Sequence, residues 1–329
     1  MSEALLEITD VERRFGGGRT LFGAEKPAVH AVQGVTLSVR KGETMGVVGE
    51  SGCGKSTLAR LLVGLDGPTA GAIRFAGGDL VAEAKADHRE LARKIQYVFQ
   101  DPVASLNPRK TIRTILEAPL IHLLGLDRQA RARRLEKLMD AVNLAPEFLD
   151  RYPHEFSGGQ AQRIGIARAL AADPDLIVLD EPVSALDVSV QAQVLNILDE
   201  LKREFGLTYI FISHDLSVVE SVSDRVAVMY FGRIVEVGPA KEIFRRPRHP
   251  YTHLLLKSAP VPGRKSLIPE DTDTELPDPY NPPPGCPFYA RCPRRSDVCT
   301  SRFPPLEAAP ENAEHQSACY HPHEETVDA

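Results

Sequence analysis

The run Gly49-Glu50-Ser51-Gly52-Cys53-Gly54-Lys55-Ser56-Thr57 has the residue types and spacing of a loop that holds phosphate. Glycines at 49, 52 and 54 let the backbone curl so that successive N–H groups face one anion. Lys55 can reach the outer phosphates, and the Ser56 hydroxyl can ligate Mg²⁺. Further along, Leu179-Asp180-Glu181-Pro182 places two carboxylates at the end of an apolar run. The first, Asp180, is suited to the shell of Mg²⁺, which prefers octahedral oxygen. Glu181 is suited to polarise a water for attack on a terminal phosphate. Phe156-Ser157-Gly158-Gly159-Gln160 opens a helix and offers a second anion-binding end, although Ser157 caps that helix in either case. One phosphate does not need two such ends from one chain, so a second subunit is expected to supply one of them. His214, after another apolar run, is either structural or a ligand of phosphate.

These groups need rigid elements behind them. Met45, Val47 and Val48 predict a strand before the loop, and Leu58, Leu61, Leu62 and Leu65 predict one apolar face of a helix after it. Leu176–Leu179, Tyr209–Ile212 and Val226–Tyr230 are continuous apolar runs, as in parallel strands buried on both faces. Ile95–Phe99 reads as another strand ending at Gln100, and residues 110–170 read as mainly helical. Residues 4–12 and 29–40 predict two more strands, separated by a loop that begins at Gly16-Gly17-Gly18. Phe15 stands before that loop, either to stack on a base or to anchor the loop to the core.

The totals set limits. The 329 residues suffice for a large α/β domain with a smaller addition. With 39 basic against 45 acidic residues, the net charge of −6 argues against nucleic acid as the main partner. No apolar run reaches membrane-spanning length and no secretory signal is visible, so a cytosolic protein is expected, reaching a membrane through partners. Prolines become dense after residue 245. There Cys286, Cys292, Cys299 and Cys319 are spaced C-x5-C-x6-C-x19-C, unlike the short pairs of structural zinc. Four thiolates suit Zn²⁺ or a [4Fe–4S] cluster, and free thiols are the third reading.

Taken in order, Gly49–Ser56, Gln100, Phe156–Gln160, Leu179–Glu181, Ser184-Ala185-Leu186-Asp187 and His214 resemble the motifs of ATP-binding-cassette ATPases. The resemblance implies an α/β P-loop ATPase core with an antiparallel β subdomain and a helical subdomain at about 101–170. It implies a head-to-tail dimer holding ATP and Mg²⁺ between Lys55 and Ser56 of one subunit and Ser157, Gly158 and Gly159 of the other. Gln100 would sense Mg²⁺ and the attacking water, His214 would face the γ-phosphate, and Asp187 would communicate across the dimer. Phe15 aligns with the family's base-stacking aromatic, with His30 as a rival.

Arg151–Gln160, Asp101-Pro102 with Ser105–Pro108, Arg248–Thr252, and Pro282–Cys286 with Arg291-Cys292-Pro293 resemble the oligopeptide/dipeptide importer ATPases. Lys55–Leu58 and Pro182–Val188 are similar to the second of that system's two paralogous ATPases. Ala161 departs from the pattern, since relatives usually carry a larger polar residue there. The implied organisation is an ATPase domain over 1–245 and a Pro/Cys-rich extension over 246–329. The implied function is ATP-driven peptide import at the cytoplasmic face of the membrane. Implied partners are a paralogous ATPase, two integral permeases and, indirectly, an extracytoplasmic binding protein. The tail implies the [4Fe–4S] reading of its cysteines. Import of nickel or another small solute, and a soluble cassette ATPase without a transporter, are the alternatives.

Overall fold

The computed structural model describes residues 4–18, 26–258 and 277–323. The strands are β1 (Ala4–Gly16), β2 (Ala28–Arg40), β3 (Thr44–Val48), β4 (Ala70–Phe75), β5 (Gly78–Asp79), β6 (Ile95–Val98), β7 (Leu176–Asp180), β8 (Thr208–Ser213), β9 (Arg225–Tyr230), β10 (Arg233–Pro239), β11 (Glu307–Ala309) and β12 (Asn312–Ser317). The helices are α1 (Lys55–Leu62), α2 (Leu80–Ala86), α3 (His88–Lys94), α4 (Ile112–His122), α5 (Arg128–Ala141), α6 (Gly158–Leu170), α7 (Val188–Phe205), α8 (Leu216–Val222), α9 (Ala240–Arg245), α10 (Pro250–Ser258) and α11 (Val298–Ser301). Among the described residues, no helix is long and apolar enough to cross a membrane.

Two sheets organise the chain. One is antiparallel with order β2-β1-β4-β5, and the other runs β11-β12-β10-β9-β3-β8-β7-β6. In the second, β6, β7, β8, β3 and β9 are parallel neighbours. Their unbroken apolar sequence follows from burial on both faces. Ile177 and Leu179 of β7 join Tyr209 and Phe211 of β8 in a core shared with the helices α4 to α7. Leu176, Val178, Ile210 and Ile212 point the other way, toward α1 and the antiparallel sheet. β3 therefore lies centrally, and α1 leaves its end with Leu58, Leu61 and Leu62 at most 1% exposed. Burying each contributes roughly 1.5–3 kcal/mol and fixes the helix against the sheet.

The expected leucine stripe is shorter than its sequence pattern. Gly64 adopts φ 72° and turns the chain out of the helix, leaving Leu65 48% exposed. Leu135, Leu138, Met139 and Val142, by contrast, are all buried in the helical core.

The proline-rich tail is more ordered than its composition suggests. β12 pairs with β10 antiparallel, and β11 extends the sheet by one more strand. Fully buried Glu236 ties this edge together. Its carboxylate accepts the N–H groups of Arg248 (2.7 Å) and His249 (2.9 Å), and lies 2.7 Å from His315 Nε2. A buried carboxylate is tolerable only with such partners. Phe288 is fully buried and packs edge-on to Tyr230 and Tyr251, which joins the tail to the central sheet and to α10.

Candidate active site

The loop between β3 and α1 borders a cavity of about 580 Å³. Ser51, Gly52, Gly54, Lys55, Ser56 and Thr57 line one side, with Gln100, Glu181 and His214 on another. Gly54 precedes α1 at φ 106°, where a Cβ would stand 2.3 Å from the carbonyl oxygen of Ala31, so only glycine fits. No side chain caps α1. Its first N–H groups and the positive end of its dipole are thus available to an anion. Gly49 and Cys53 are part of the loop but do not line the cavity. Cys53 is buried, and burial pushes its thiol up, which makes it an inert small side chain behind the loop.

Lys55 donates from Nζ to the carbonyls of Gly49 (2.7 Å) and Glu50 (3.1 Å), which keeps the ammonium against the loop. Ser56 Oγ lies 3.4 Å from Asp180 Oδ1, so the hydroxyl and the carboxylate converge from α1 and β7. Tyr97, from the neighbouring β6, donates its hydroxyl to Asp180 Oδ2 at 2.6 Å. Burial, and after it this bond, pushes the Tyr97 phenol up, so it stays a donor and leaves Asp180 an acceptor. A hydroxyl beside an acceptor carboxylate suits Mg²⁺, and these two residues would hold it.

Glu181 adopts φ 49°, a conformation costing about 1–3 kcal/mol for a residue with a side chain. Its N–H donates to Ile212 O at 2.9 Å, which holds the strained turn at the end of β7. The carboxylate meets Gln100 Nε2 at 2.8 Å and lies 3.1 Å from His214 Nδ1. Three side chains from three strand ends thus meet at the cavity, as residues around a water and a phosphate must.

Other expected residues lie elsewhere. Phe15 is 40% exposed with the Arg13 guanidinium over its ring, and it does not line the cavity. His30, its rival, does line it, beside Pro279 of the tail, whose carbonyl accepts the His30 N–H at 3.0 Å. Ser157, Gly158, Gly159 and Gln160 are outside the cavity lining of their own chain. Ser157 caps α6 in a reciprocal capping box with Gln160, and Gly159 sits where a Cβ would strike Val190. Asp187 caps α7, and the Ser189 hydroxyl and Val190 N–H hold its carboxyl below the usual range. Ala161 is buried in the helical core, so a small apolar side chain fits the place.

Cys286, Cys292, Cys299 and Cys319 line one small cavity with His249 and His321. All four are free thiols. Burial pushes Cys286 up to about 12 and Cys319 up to about 11, with the neighbouring thiols adding to the shift. Among the described residues, no group of three or more His, Cys, Asp or Glu side chains is arranged for a metal ion.

Sequence reasoning gave no site role to Tyr97, Pro279, Tyr251 or Arg291, although Tyr251 and Arg291 fall within the segments that resemble the importer ATPases. No spacing or periodicity announces them, because each arrives from a distant segment.

Residues 32–184 match the family described as ABC transporter. Residues 235–299 match that described as oligopeptide/dipeptide transporter, C-terminal region. The chain is 50% identical to the oligopeptide transport ATP-binding protein AppF of Bacillus subtilis, over 97% of each chain. It is 48% identical to the dipeptide transport ATP-binding protein DppF of Escherichia coli, over 93% of this chain and 92% of that one. Among solved structures it is similar to cbiO1 from Clostridium perfringens, part of the ABC transporter complex cbiONQ. That match has a TM-score of 0.63 and 27% identity, over 74% of this chain and 91% of the other. It is also similar to the dimeric, post-hydrolysis ATP-binding cassette MJ0796 bound to ADP and Pi. There the TM-score is 0.62 and the identity 28%, over 71% and 98% of the two chains. The chain therefore belongs to the ATP-hydrolysing subunits of the ABC transporter family, in the group that carries the oligopeptide/dipeptide transporter C-terminal region.

Proposed function

We propose that this chain is the nucleotide-binding subunit of an importer that uses ATP hydrolysis to move di- and oligopeptides across the cytoplasmic membrane. The observation that carries this reading is similarity along the whole chain, tail included, to peptide-transport ATP-binding proteins. The subunit docks on integral permeases at the cytoplasmic face. Phe99 (43% exposed) and Val103 (45% exposed) flank Gln100 and supply apolar surface for that contact. The second ATPase of the assembly is a paralogue, and each ATP is shared between the cavity of one subunit and Ser157–Gly159 of the other. The position of Ser157–Gly159 outside the cavity of their own chain supports the sharing, whichever ATPase supplies the other half.

In the hydrolytic step, Glu181 polarises a water for attack on the γ-phosphate while Gln100 and His214 hold its carboxylate in line. Lys55 and the N–H groups at the start of α1 take up the charge of the phosphates. Ser56 and Asp180 would hold Mg²⁺, which would supply positive charge to offset that of the phosphates. Glu181→Gln in the reconstituted transporter is expected to keep ATP binding while turnover and peptide uptake fall about a hundredfold or more. Undiminished turnover would remove Glu181 from the general-base role. Wild-type vesicles that hydrolyse ATP without accumulating peptide would reject the substrate assignment.

The four cysteines form a [4Fe–4S] site in this reading. Their meeting around one small cavity supports it. A cluster would supply four strong bonds in place of four free thiols, and so order a tail rich in proline. Anaerobic purification should return four iron and four sulfide per chain, roughly, as expected for such a cluster. Zinc, or neither metal, would replace that assignment.

A further inference from the structure

Glu50 follows Gly49 in the phosphate loop but does not line the nucleotide cavity. Its carboxylate turns away from the cavity toward the tail, where Arg291 precedes Cys292. The guanidinium of Arg291 donates from both terminal nitrogens, to Oε2 and to Oε1, each at 2.9 Å. This is the planar two-bond fork that an arginine makes and a lysine does not. The Arg291 side chain is only 13% exposed and rests near the rings of Tyr230 and Phe288. The remaining polar groups of Glu50 are also engaged. Its N–H donates to the Tyr251 hydroxyl at 2.9 Å, and its carbonyl accepts from Lys55 Nζ at 3.1 Å. The lysine that serves phosphate is therefore seated on a residue whose side chain and N–H are both held by the C-terminal region. A loop must keep its N–H groups aimed before phosphate arrives, since ordering them on binding would subtract from affinity.

We propose that Arg291 is a positioning residue for the phosphate loop, acting through Glu50, and that the four-cysteine unit carrying Arg291 thereby sets the ATP affinity of the chain. The inference rests on the reading of Gly49–Thr57 as the ATP site and goes beyond it by making the C-terminal region part of that site.

Direct binding of ATP to the full chain tests it, with turnover measured in parallel. Arg291→Met keeps the length of the stem and removes the fork, and is expected to weaken ATP binding about tenfold. The effect falls on KM, with kcat at saturating ATP within about twofold. Arg291→Lys should recover part of the affinity, through one bond in place of two. Glu50→Gln reaches the same contact from the loop side and leaves the C-terminal region intact, so it decides the matter if the Arg291 variants fold poorly. Its amide oxygen still accepts one of the two bonds, so its loss should be measurable but smaller than that of Arg291→Met, and the double variant should lose no more than Arg291→Met alone. Wild-type ATP affinity in both Arg291→Met and Glu50→Gln, or losses that simply add, would overturn the proposal. Failure of the wild-type chain to bind ATP would instead overturn the assignment of the loop.

Discussion

The helices α1 and α6 both begin beside glycines, and both present the positive end of a helix dipole, yet they are finished differently. α1 follows Gly54 with no side-chain cap and opens onto the cavity. α6 follows Ser157, whose Oγ accepts the Gln160 N–H while Gln160 Oε1 accepts the Ser157 N–H. A third start, that of α10, uses an imidazole. His249 Nδ1 accepts the Tyr251 N–H at 3.1 Å. The dipole is common to all three, so what distinguishes an anion site from a capped end is the group that claims the first N–H donors. α1 leaves them to a ligand and brings Lys55 to the same place. α6 is complete as a helix end but reaches no phosphate site within its own chain.

The largest expected effect separates those two ends directly. Lys55→Ala should weaken ATP binding to the isolated chain by about a hundredfold, the scale of a lost charge-assisted contact to phosphate. Gly158→Asp, at the exposed start of α6, should leave that binding within about twofold and abolish turnover in the assembled transporter, where a carboxylate would face a neighbour's phosphate. Equal losses of binding in the isolated chain would break the comparison, because α6 would then serve the same site as α1.

The α1 site was legible in sequence because its parts are consecutive. Gly49 to Thr57 carry donors, lysine and hydroxyl on one turn, and the flanking apolar residues place that turn between strand and helix. The β7 carboxylates were legible for the same reason, lying at the end of an unbroken apolar run. The groups that hold these residues from behind were not legible. Tyr97 reaches Asp180 across 83 residues, Tyr251 reaches Glu50 across 201, and Arg291 reaches Glu50 across 241. Such pairs depend on strand order and on the path of the tail, neither of which leaves a local period. β12, with the sequence Asn-Ala-Glu-His-Gln-Ser, lacks the apolar content that announces a strand, because it is anchored through His315 and Glu236. The cysteine spacing misses the short zinc pairs for a related reason, as the fold gathers thiols from separate segments of the tail.

An effect of similar size, on stability rather than binding, tests the α10 end. His249 is fully enclosed, and burial pushes its imidazole down from an ordinary 6.5 to about 4; nearby His323 adds to the shift and Glu236 opposes it. The cation is disfavoured at a helix N-terminus as well. As pH falls below about 6.5 the unfolded chain takes up a proton that the folded chain refuses. Stability present above about pH 6.5 is therefore lost progressively down to about pH 4, by roughly 3 kcal/mol from this group. His249→Asn keeps an acceptor for the Tyr251 N–H and does not titrate. Urea midpoints of the two proteins should diverge between pH 7 and pH 4.5, with the wild type falling more steeply. Parallel curves would mean that the imidazole takes up its proton within the fold.

The smallest effect asks whether Ser157 is anything more than a cap. Ser157→Ala removes the acceptor for the Gln160 N–H and should cost about 1 kcal/mol, or about 2–3 °C in Tm. Ser157→Asp keeps a good capping oxygen and adds a charge that suits the helix dipole, so its Tm should stay within about 1 °C of wild type. If capping is the whole role, turnover follows stability, and the aspartate variant is as active as wild type. If α6 faces the phosphates of a neighbouring subunit, the order inverts. The aspartate variant is then the stable, inactive one, and the alanine variant is less stable but retains activity. Thermal melts and ATP turnover on the same two proteins distinguish these outcomes, because the substitution that preserves the helix is the one that repels the phosphate.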